Sequence, residues 1–151
     1  MEKDINLVET IYGSEEFDFA LNLIFAEWGD ENPEHLKTKK ESLKSDTTTK
    51  CYVLKVNSTP VGCFVICKND IKGYPKLNPN LACVCVDKQF RGKGYSVLLM
   101  EKANEIFRSL NIKKAYLKTN LNNFYDKFGW EYVKDIKIKG QVEKLYVKNF
   151  K

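Results

Sequence analysis

Residues 81–110 constrain the fold of this chain more than any other segment. Residues 81–86 (LACVCV) contain no polar side chain, which predicts a strand buried on both faces of a sheet. A glycine-containing turn follows, and residues 94–110 then carry an apolar stripe at helical spacing. A turn at a helix N-terminus presents unpaired backbone N–H groups and the positive end of the helix dipole. The segment therefore predicts a strand–turn–helix unit able to hold a phosphate.

The turn itself has the residues that such a site needs. Gly92 and Gly94 leave the backbone open to an anion, while Arg91 and Lys93 add positive charge. Two other phosphate loops do not fit: the dinucleotide pattern needs a third glycine where Val97 stands, and the nucleotide-triphosphate spacing does not occur. A Gly-x-Gly at this junction can also be only a tight turn, so the pattern alone leaves both interpretations open.

The remaining patterns predict an α/β fold with a mixed central sheet and about four helices. Strand–helix–strand order around residues 94–110 implies parallel pairing through a right-handed crossover. Helices are expected at about 14–28, 33–45, 94–110 and 122–128, and strands at about 51–56, 61–67, 81–86, 114–118, 131–138 and 143–148.

Size and composition indicate one domain spanning residues 1–151. The chain is 43% hydrophobic and 13% aromatic, enough for a core. No apolar run reaches the length of a membrane helix, and the first residues lack the order of a signal peptide, so a cytoplasmic protein is expected. The five cysteines are Cys51, Cys63, Cys67, Cys83 and Cys85. They lie in strand-like segments without zinc-site spacing, which favours buried small hydrophobes over metal ligands.

Charge is distributed unevenly along the chain. Residues 1–34 contain ten acidic residues and one basic residue, a net charge of −9, so the remainder carries +14 within the total of +5. This asymmetry predicts two surfaces for oppositely charged ligands, although clustering on solvated helices would give the same count.

Two motifs resemble the GCN5-related N-acetyltransferase (GNAT) superfamily. The family signature Arg/Gln-x-x-Gly-x-Gly/Ala matches residues 91–96 (RGKGYS), with Ser96 in place of the last Gly or Ala. The family's Tyr-x-x-x-Gly-Phe element matches residues 125–130 (YDKFGW). The resemblance covers about residues 50–135 and implies a GNAT fold, whose central parallel strands splay apart to admit the cofactor.

The resemblance also implies roles for individual residues. Acetyl-CoA is the expected co-substrate, and no metal is expected. The pantetheine arm pairs with the backbone of Val84 and Val86, and the phosphates are bound by Arg91, Gly92, Lys93, Gly94, Tyr95 and Ser96. Tyr125 is the expected general acid, since a tyrosine phenol has a reference pKa near 10 and can protonate a departing thiolate.

Other parts of the site are less defined by the sequence. Glu27, Asp30 and Glu31 lie between the first two helices, where relatives bind the acceptor, and are candidate ligands for a cationic amine. No general base is identifiable. Lys118 occupies the position where many relatives carry a cofactor-binding Asn, and Thr119, Asn120 or Asn122 could compensate.

The predicted function is acetyl transfer from acetyl-CoA to a small-molecule or peptide amine. The resemblance makes a homodimer a candidate assembly. Two alternatives stay open: an acyl-CoA-binding module without transfer activity, and a nucleic-acid-binding domain that uses the basic remainder. The second is disfavoured because the basic residues are not grouped with stacking aromatics. No membrane or nucleic-acid partner is expected.

Overall fold

A mixed sheet organises the computed structural model, which describes residues 3–28 and 33–150. Seven strands, three α-helices and two 3₁₀ helices occur in this described part. The strands are β1 (Ile5–Glu9), β2 (Lys50–Val56), β3 (Thr59–Cys67), β4 (Asn80–Val86), β5 (Lys114–Thr119), β6 (Glu131–Ile138) and β7 (Gln141–Asn149). The α-helices are α1 (Glu15–Glu27), α2 (Pro33–Leu43) and α3 (Tyr95–Ser109), and the 3₁₀ helices are Lys88–Phe90 and Tyr125–Phe128.

The strand order is β1-β2-β3-β4-β5-β7-β6. β1 pairs antiparallel with β2, and β7 pairs antiparallel with both β5 and β6. β4 and β5 pair in parallel, and their ladder has one register pair, Asn80 opposite Tyr116. The predicted mixed α/β fold is therefore confirmed, and so short a parallel ladder matches strands that splay apart.

Most element boundaries fall within two residues of those expected from the sequence. Ser14 caps α1 by accepting a hydrogen bond from the backbone N–H of Phe17. Asn111 follows α3 with a φ of 57°, the left-handed conformation expected of a C-cap residue. β2 and β3 are joined by Asn57 and Ser58, both with positive φ, as in a tight hairpin turn.

Two features differ from the sequence-based expectation. β1 was not predicted, because its five residues carry a short and ambiguous pattern that pairing with β2 completes. The expected fourth helix at 122–128 is a four-residue 3₁₀ helix, Tyr125–Phe128. Gly129, with a φ of 85°, ends it, and so few residues cannot complete an α-helix.

The fold divides into two compact units. Unit 1 comprises residues 1–65 and 83–99, and unit 2 comprises residues 66–82 and 100–151. A cluster in unit 1 contains Ala20, Val53, Cys63 and Cys85, so α1, β2, β3 and β4 contribute to one core. In unit 2, Phe107, Trp130 and Phe150 stack or meet edge-on at centroid distances of 5.2–6.1 Å.

The start of β2 is preceded by a carboxylate-centred turn. Both oxygens of Asp46 accept hydrogen bonds from Thr48 and Thr49, the shortest at 2.6 Å from Thr49 Oγ1. These donors stabilise the ionised form and lower the pKa of Asp46 to about 2, led by the bond from the Thr49 hydroxyl.

No helix in residues 3–28 or 33–150 is long and apolar enough to span a membrane.

Candidate functional site

β4 leads into the predicted phosphate loop and is irregular at its centre. Val84 and Val86 are half-buried and alternate with buried Cys85. Cys83 has a φ of 54°, an unusual value for a non-glycine residue inside a strand, and its carbonyl accepts a bond from Cys63 Sγ at 3.7 Å. A left-handed residue at this position interrupts the regular extended conformation of β4. No pattern in the sequence predicted it.

The C-terminal half of β4 lies against a glycine of β3. A Cβ atom on Gly62 would stand 2.7 Å from the carbonyl oxygen of Cys85 and 3.0 Å from Leu99 Cδ1. Real Cβ atoms essentially never lie 2.7 Å from a backbone oxygen, so only glycine allows β3 and β4 to approach this closely, and the contact with Leu99 would also be tight. Sequence reasoning missed Gly62, although a glycine inside an apolar strand is a known sign of close approach.

The loop after β4 has a defined backbone path. The Asp87 N–H donates to Val61 O at 2.8 Å, and the Asp87 carboxylate caps the first 3₁₀ helix through Gln89 N at 3.2 Å. Gly92 and Gly94 both have a φ of 80°, and a Cβ built on either would meet nothing within 4 Å. They are therefore required by backbone conformation rather than by packing, and they keep one side of the loop open.

This loop runs directly into the first turn of α3, and residues 91–94 are exposed. The first-turn N–H groups of an α-helix have no intrahelical acceptor. Backbone N–H groups at such a turn, next to left-handed residues, are of the kind that can bind an anion. Phosphate binding by residues 91–96 stays a prediction.

Arg91 contacts two other parts of unit 1. Its Nε donates to the carbonyl of Val86 at 3.1 Å, and its Nη2 lies 2.6 Å from Glu27 Oε2. The structure thus brings together one predicted cofactor ligand and one predicted acceptor ligand. The side chains remain partly exposed, 46% for Arg91 and 35% for Glu27, so both are accessible to a bound molecule.

Cys85 lies beside this ion pair. The pKa of its thiol is raised to about 11, chiefly by burial and also by the negative charge of Glu27, while the positive charge of Arg91 lowers it. Burial likewise raises the pKa of Cys51 to about 11 and that of Cys63 well above its usual value. Cys63, Cys67 and Cys85 are buried, as predicted, whereas Cys51 and Cys83 are only half-buried.

Tyr95 and Ser96 occupy the first turn of α3 differently. The Tyr95 side chain is 6% exposed, and its hydroxyl accepts a hydrogen bond from Lys3 Nζ at 3.3 Å. A core position leaves Tyr95 only its backbone N–H for a ligand. Ser96 is half-buried and Lys93 is exposed.

Tyr125 is the first residue of the second 3₁₀ helix, in unit 2. Its ring is largely buried and meets Phe124 edge-on, with centroids 4.9 Å apart. The helix is anchored by Asp126, whose carboxylate accepts a bond from the Tyr146 hydroxyl at 2.9 Å. A buried asparagine supports the end of the same segment: Asn104 donates to Phe128 O and accepts from Trp130 Nε1, both at 3.1 Å.

Lys118, in place of the family asparagine, faces a carboxylate. Its Nζ lies 3.5 Å from Glu143 of β7, and both side chains are about three-quarters buried. Thr119 is 8% exposed, and its hydroxyl accepts a bond from Leu121 N at 3.0 Å. Asn120 and Asn122 are exposed.

The acidic N-terminal region is partly neutralised within unit 1. Besides Glu27, Asp18 pairs with Lys40 at 2.7 Å and Glu16 with Lys55 at 3.4 Å. These ion pairs reduce the negative charge that was expected to attract cationic ligands. Asp30 and Glu31, the other predicted acceptor ligands, lie outside the described residues. In the described ranges no group of three or more His, Cys, Asp or Glu side chains is arranged to hold a metal ion.

The chain is similar in fold to several solved acetyltransferases. A GNAT family acetyltransferase from Elizabethkingia anophelis with acetyl-CoA bound has 16% identity and a TM-score of 0.66, covering 97% of this chain and 98% of that one. A spermidine N-acetyltransferase variant from Vibrio cholerae has 18% identity and a TM-score of 0.71, over 96% and 93%. An aminoglycoside 6′-N-acetyltransferase complexed with coenzyme A has 13% identity and a TM-score of 0.73, over 95% and 96%.

Sequence comparison gives a family assignment. Comparison with curated protein sequences finds no match. The family profile described as an acetyltransferase (GNAT) domain matches residues 47–132, which include β2 to β5, the glycine loop and Tyr125. More than half of the chain is covered, and the chain therefore belongs to the GNAT acetyltransferase family.

Proposed function

We propose that this protein transfers an acetyl group from acetyl-CoA to a primary amine, with both substrates bound together in a ternary complex. The observation that carries the proposal is the open loop between β4 and α3. Its two glycines have left-handed φ values, and it leads directly into the N-terminus of α3.

The residues present fit the anionic end of acetyl-CoA. The pyrophosphate would take backbone N–H groups between Arg91 and Ser96, with Lys93 adding charge. Val84 and Val86 would pair with the pantetheine arm through their backbone atoms. The Val86 carbonyl already accepts the Arg91 bond, but a carbonyl oxygen has two lone pairs and can accept a second donor. When bound, acetyl-CoA supplies a thioester that is already activated for transfer.

The chemistry required of the protein is modest. The neutral amine nitrogen forms a bond to the acetyl carbon, the carbon–sulfur bond breaks, and the amine's surplus proton leaves to water. In the proposal the Tyr125 phenol gives its proton to the departing sulfur, and the phenolate then takes a proton back from water. Holding the two substrates in the reacting geometry supplies much of the acceleration. No residue of the chain is assigned as the general base.

Glu27 is the described candidate for contacting the acceptor, proposed to be a small cationic amine. Two similar structures are named for spermidine and aminoglycoside acetylation, which supports this class. Glu27 is held by Arg91, and a phosphate that draws on Arg91 would leave the carboxylate available to an ammonium group. The proposed partners are therefore acetyl-CoA and an amine, in the cytoplasm. The alternatives are a protein or peptide amine and binding of acyl-CoA without transfer.

Acetyl-CoA binding by calorimetry tests the site, with a matched pair of glycine variants. Gly94→Glu places bulk and negative charge in the loop and should abolish binding. Gly140→Glu carries the same charge at a φ of 81°, also with nothing within 4 Å, in the β6–β7 turn. It should bind acetyl-CoA as the wild type does. Equal binding by both variants would refute the site.

Thiol release with a panel of polyamines, aminoglycosides and peptides with free N-termini then tests the reaction. Release with one class of amine, abolished in Gly94→Glu and kept in Gly140→Glu, identifies the acceptor class. Acetyl-CoA binding without release in any class contradicts the enzyme proposal for these acceptors and favours the non-catalytic module.

A further inference from the structure

Unit 2 contains a cavity of about 630 Å³ that the proposed function does not use. One wall is the loop 73–77, and the rest is formed by side chains of β5, β6 and β7. A volume of this size is in the range of small-molecule sites. None of the lining residues lies in the segment 84–96, and Tyr125 is not among them.

The wall of the cavity is held in place by a buried polar side chain. Asn80 is fully buried, and its Nδ2 donates to Leu77 O at 2.7 Å and to Tyr116 O at 3.4 Å. Its Oδ1 accepts from the Asp70 N–H at 3.0 Å. These bonds tie the loop to β5 without any ligand, so the cavity is pre-formed rather than a gap between mobile parts.

A β-bulge in β6 turns two neighbouring side chains toward the cavity. Tyr132 is opposite Tyr146 and Lys134 is opposite Leu145, which leaves Val133 as the extra residue. Consecutive residues of a regular strand point to opposite faces. Here Val133 and Lys134 both line the cavity, as a bulge allows, and one of them is apolar and the other cationic.

The charge of the lining is of one sign. Lys76, Lys114 and Lys134 line the cavity, and no carboxylate does. Among the described residues none of these lysines forms an ion pair. The other lining residues are predominantly apolar and include Tyr116 and Val147. An apolar surface lined by three lysine ammonium groups is complementary to a molecule with an apolar body and an anionic group. The same positive charges repel ammonium compounds.

We infer that this cavity is a binding site for a small organic anion with an apolar body, such as a medium-chain carboxylate. In this proposal the apolar part lies against Tyr116 and the other apolar lining residues, and the carboxylate is bound by the lining lysines. The site is distinct from the segment proposed to hold acetyl-CoA, and it does not depend on that assignment.

Calorimetry with decanoate tests the inference, with decylamine as the cationic match of equal chain length. Decanoate should bind one site per chain, and decylamine should not displace it, because an amine bound near Glu27 does not occupy the cavity. Lys114→Gln/Lys134→Gln should weaken decanoate binding about three- to tenfold, since each exposed ion pair contributes modestly. Lys137→Gln is the matched control, because Lys137 alternates with Ile136 and Ile138 and so lies on the other face of β6.

A second variant introduces a negative charge into the lining of the cavity. Val133→Glu places an anion at a residue that is 48% exposed, so the fold tolerates it, and decanoate binding should be lost. The inference is overturned if decylamine displaces decanoate with equal affinity, or if decanoate gives no heat at millimolar concentration. It is also overturned if Lys137→Gln weakens binding as much as the double variant. Displacement of decanoate by acetyl-CoA, with Val133→Glu weakening both, would assign the cavity to acetyl-CoA and refute a separate site.

Discussion

Gly62→Ala is a sharp test of the packing beneath the glycine loop. The φ of Gly62 is outside the left-handed region, so alanine meets no conformational penalty there. In open space such a change stabilises a protein by about 0.4–1 kcal/mol, because the unfolded chain loses freedom. At this position the new methyl would stand 2.7 Å from Cys85 O and 3.0 Å from Leu99 Cδ1. The two effects have opposite signs.

The collision should dominate. Leu99 Cδ1 is the end of a side chain and can move, but the Cys85 carbonyl is backbone, so β4 itself must shift. Overpacking of this kind costs about 1–3 kcal/mol. Subtracting the gain of about 0.4–1 kcal/mol from the cost of about 1–3 kcal/mol lowers the free energy of unfolding by about 1.3 kcal/mol at the mid-points, within a range of about 0–2.6 kcal/mol.

Urea unfolding monitored by circular dichroism measures this difference, with the slope of the transition compared between variants. A lower midpoint at unchanged slope is expected. Truncating Leu99 in the double variant Gly62→Ala/Leu99→Ala should remove only the part of the collision that involves Leu99, because the contact between the new methyl and the backbone of Cys85 remains. A Gly62→Ala protein as stable as the wild type, or more stable, would refute the close approach of β3 and β4.

Three further predictions concern other parts of the molecule. Tyr125→Phe should lower the turnover of thiol release about 100-fold or more while acetyl-CoA affinity stays unchanged. The control variant Tyr132→Phe, at an exposed tyrosine, should change neither the turnover nor the affinity. Equal turnover of Tyr125→Phe and the wild type would remove Tyr125 from catalysis. Because the pKa of Asp46 is depressed to about 2, its contribution to stability is complete above about pH 4 and lost as pH falls toward 2. Asp46→Asn should therefore make the free energy of unfolding less dependent on pH between about pH 4 and 2. Asn104→Leu leaves buried Trp130 Nε1 without its acceptor and should lower the unfolding free energy by about 1–3 kcal/mol in urea melts.

Local patterns were sufficient to predict most of the secondary structure. Helix α3, the hairpin of β2 and β3 and the left-handed Asn111 depend on apolar spacing, turn residues and a C-cap, which act over a few neighbours. The short strand β1 was missed because its formation depends on a partner more than 40 residues away along the chain.

The candidate site divides in the same way. The glycine loop could be found from residues 91–96 alone, since its two left-handed positions require glycine whatever surrounds them. The pairing of Glu27 with Arg91 could not be found, because the two residues are 64 positions apart and neither has a local sign of the other. The same holds for Lys118, whose partner Glu143 is on a different strand.

The sequence by itself thus determined the family, the strand–turn–helix unit and the free backbone donors at its turn, all of which follow from contiguous residues. Only the tertiary structure decided which charges neutralise each other, why Gly62 must lack a side chain, and that a bulge at Val133 completes a lysine-lined cavity. The physical reason is that these features depend on distances between strands and helices that are remote in sequence. Tertiary packing, and not local propensity, determines which of their residues are in contact.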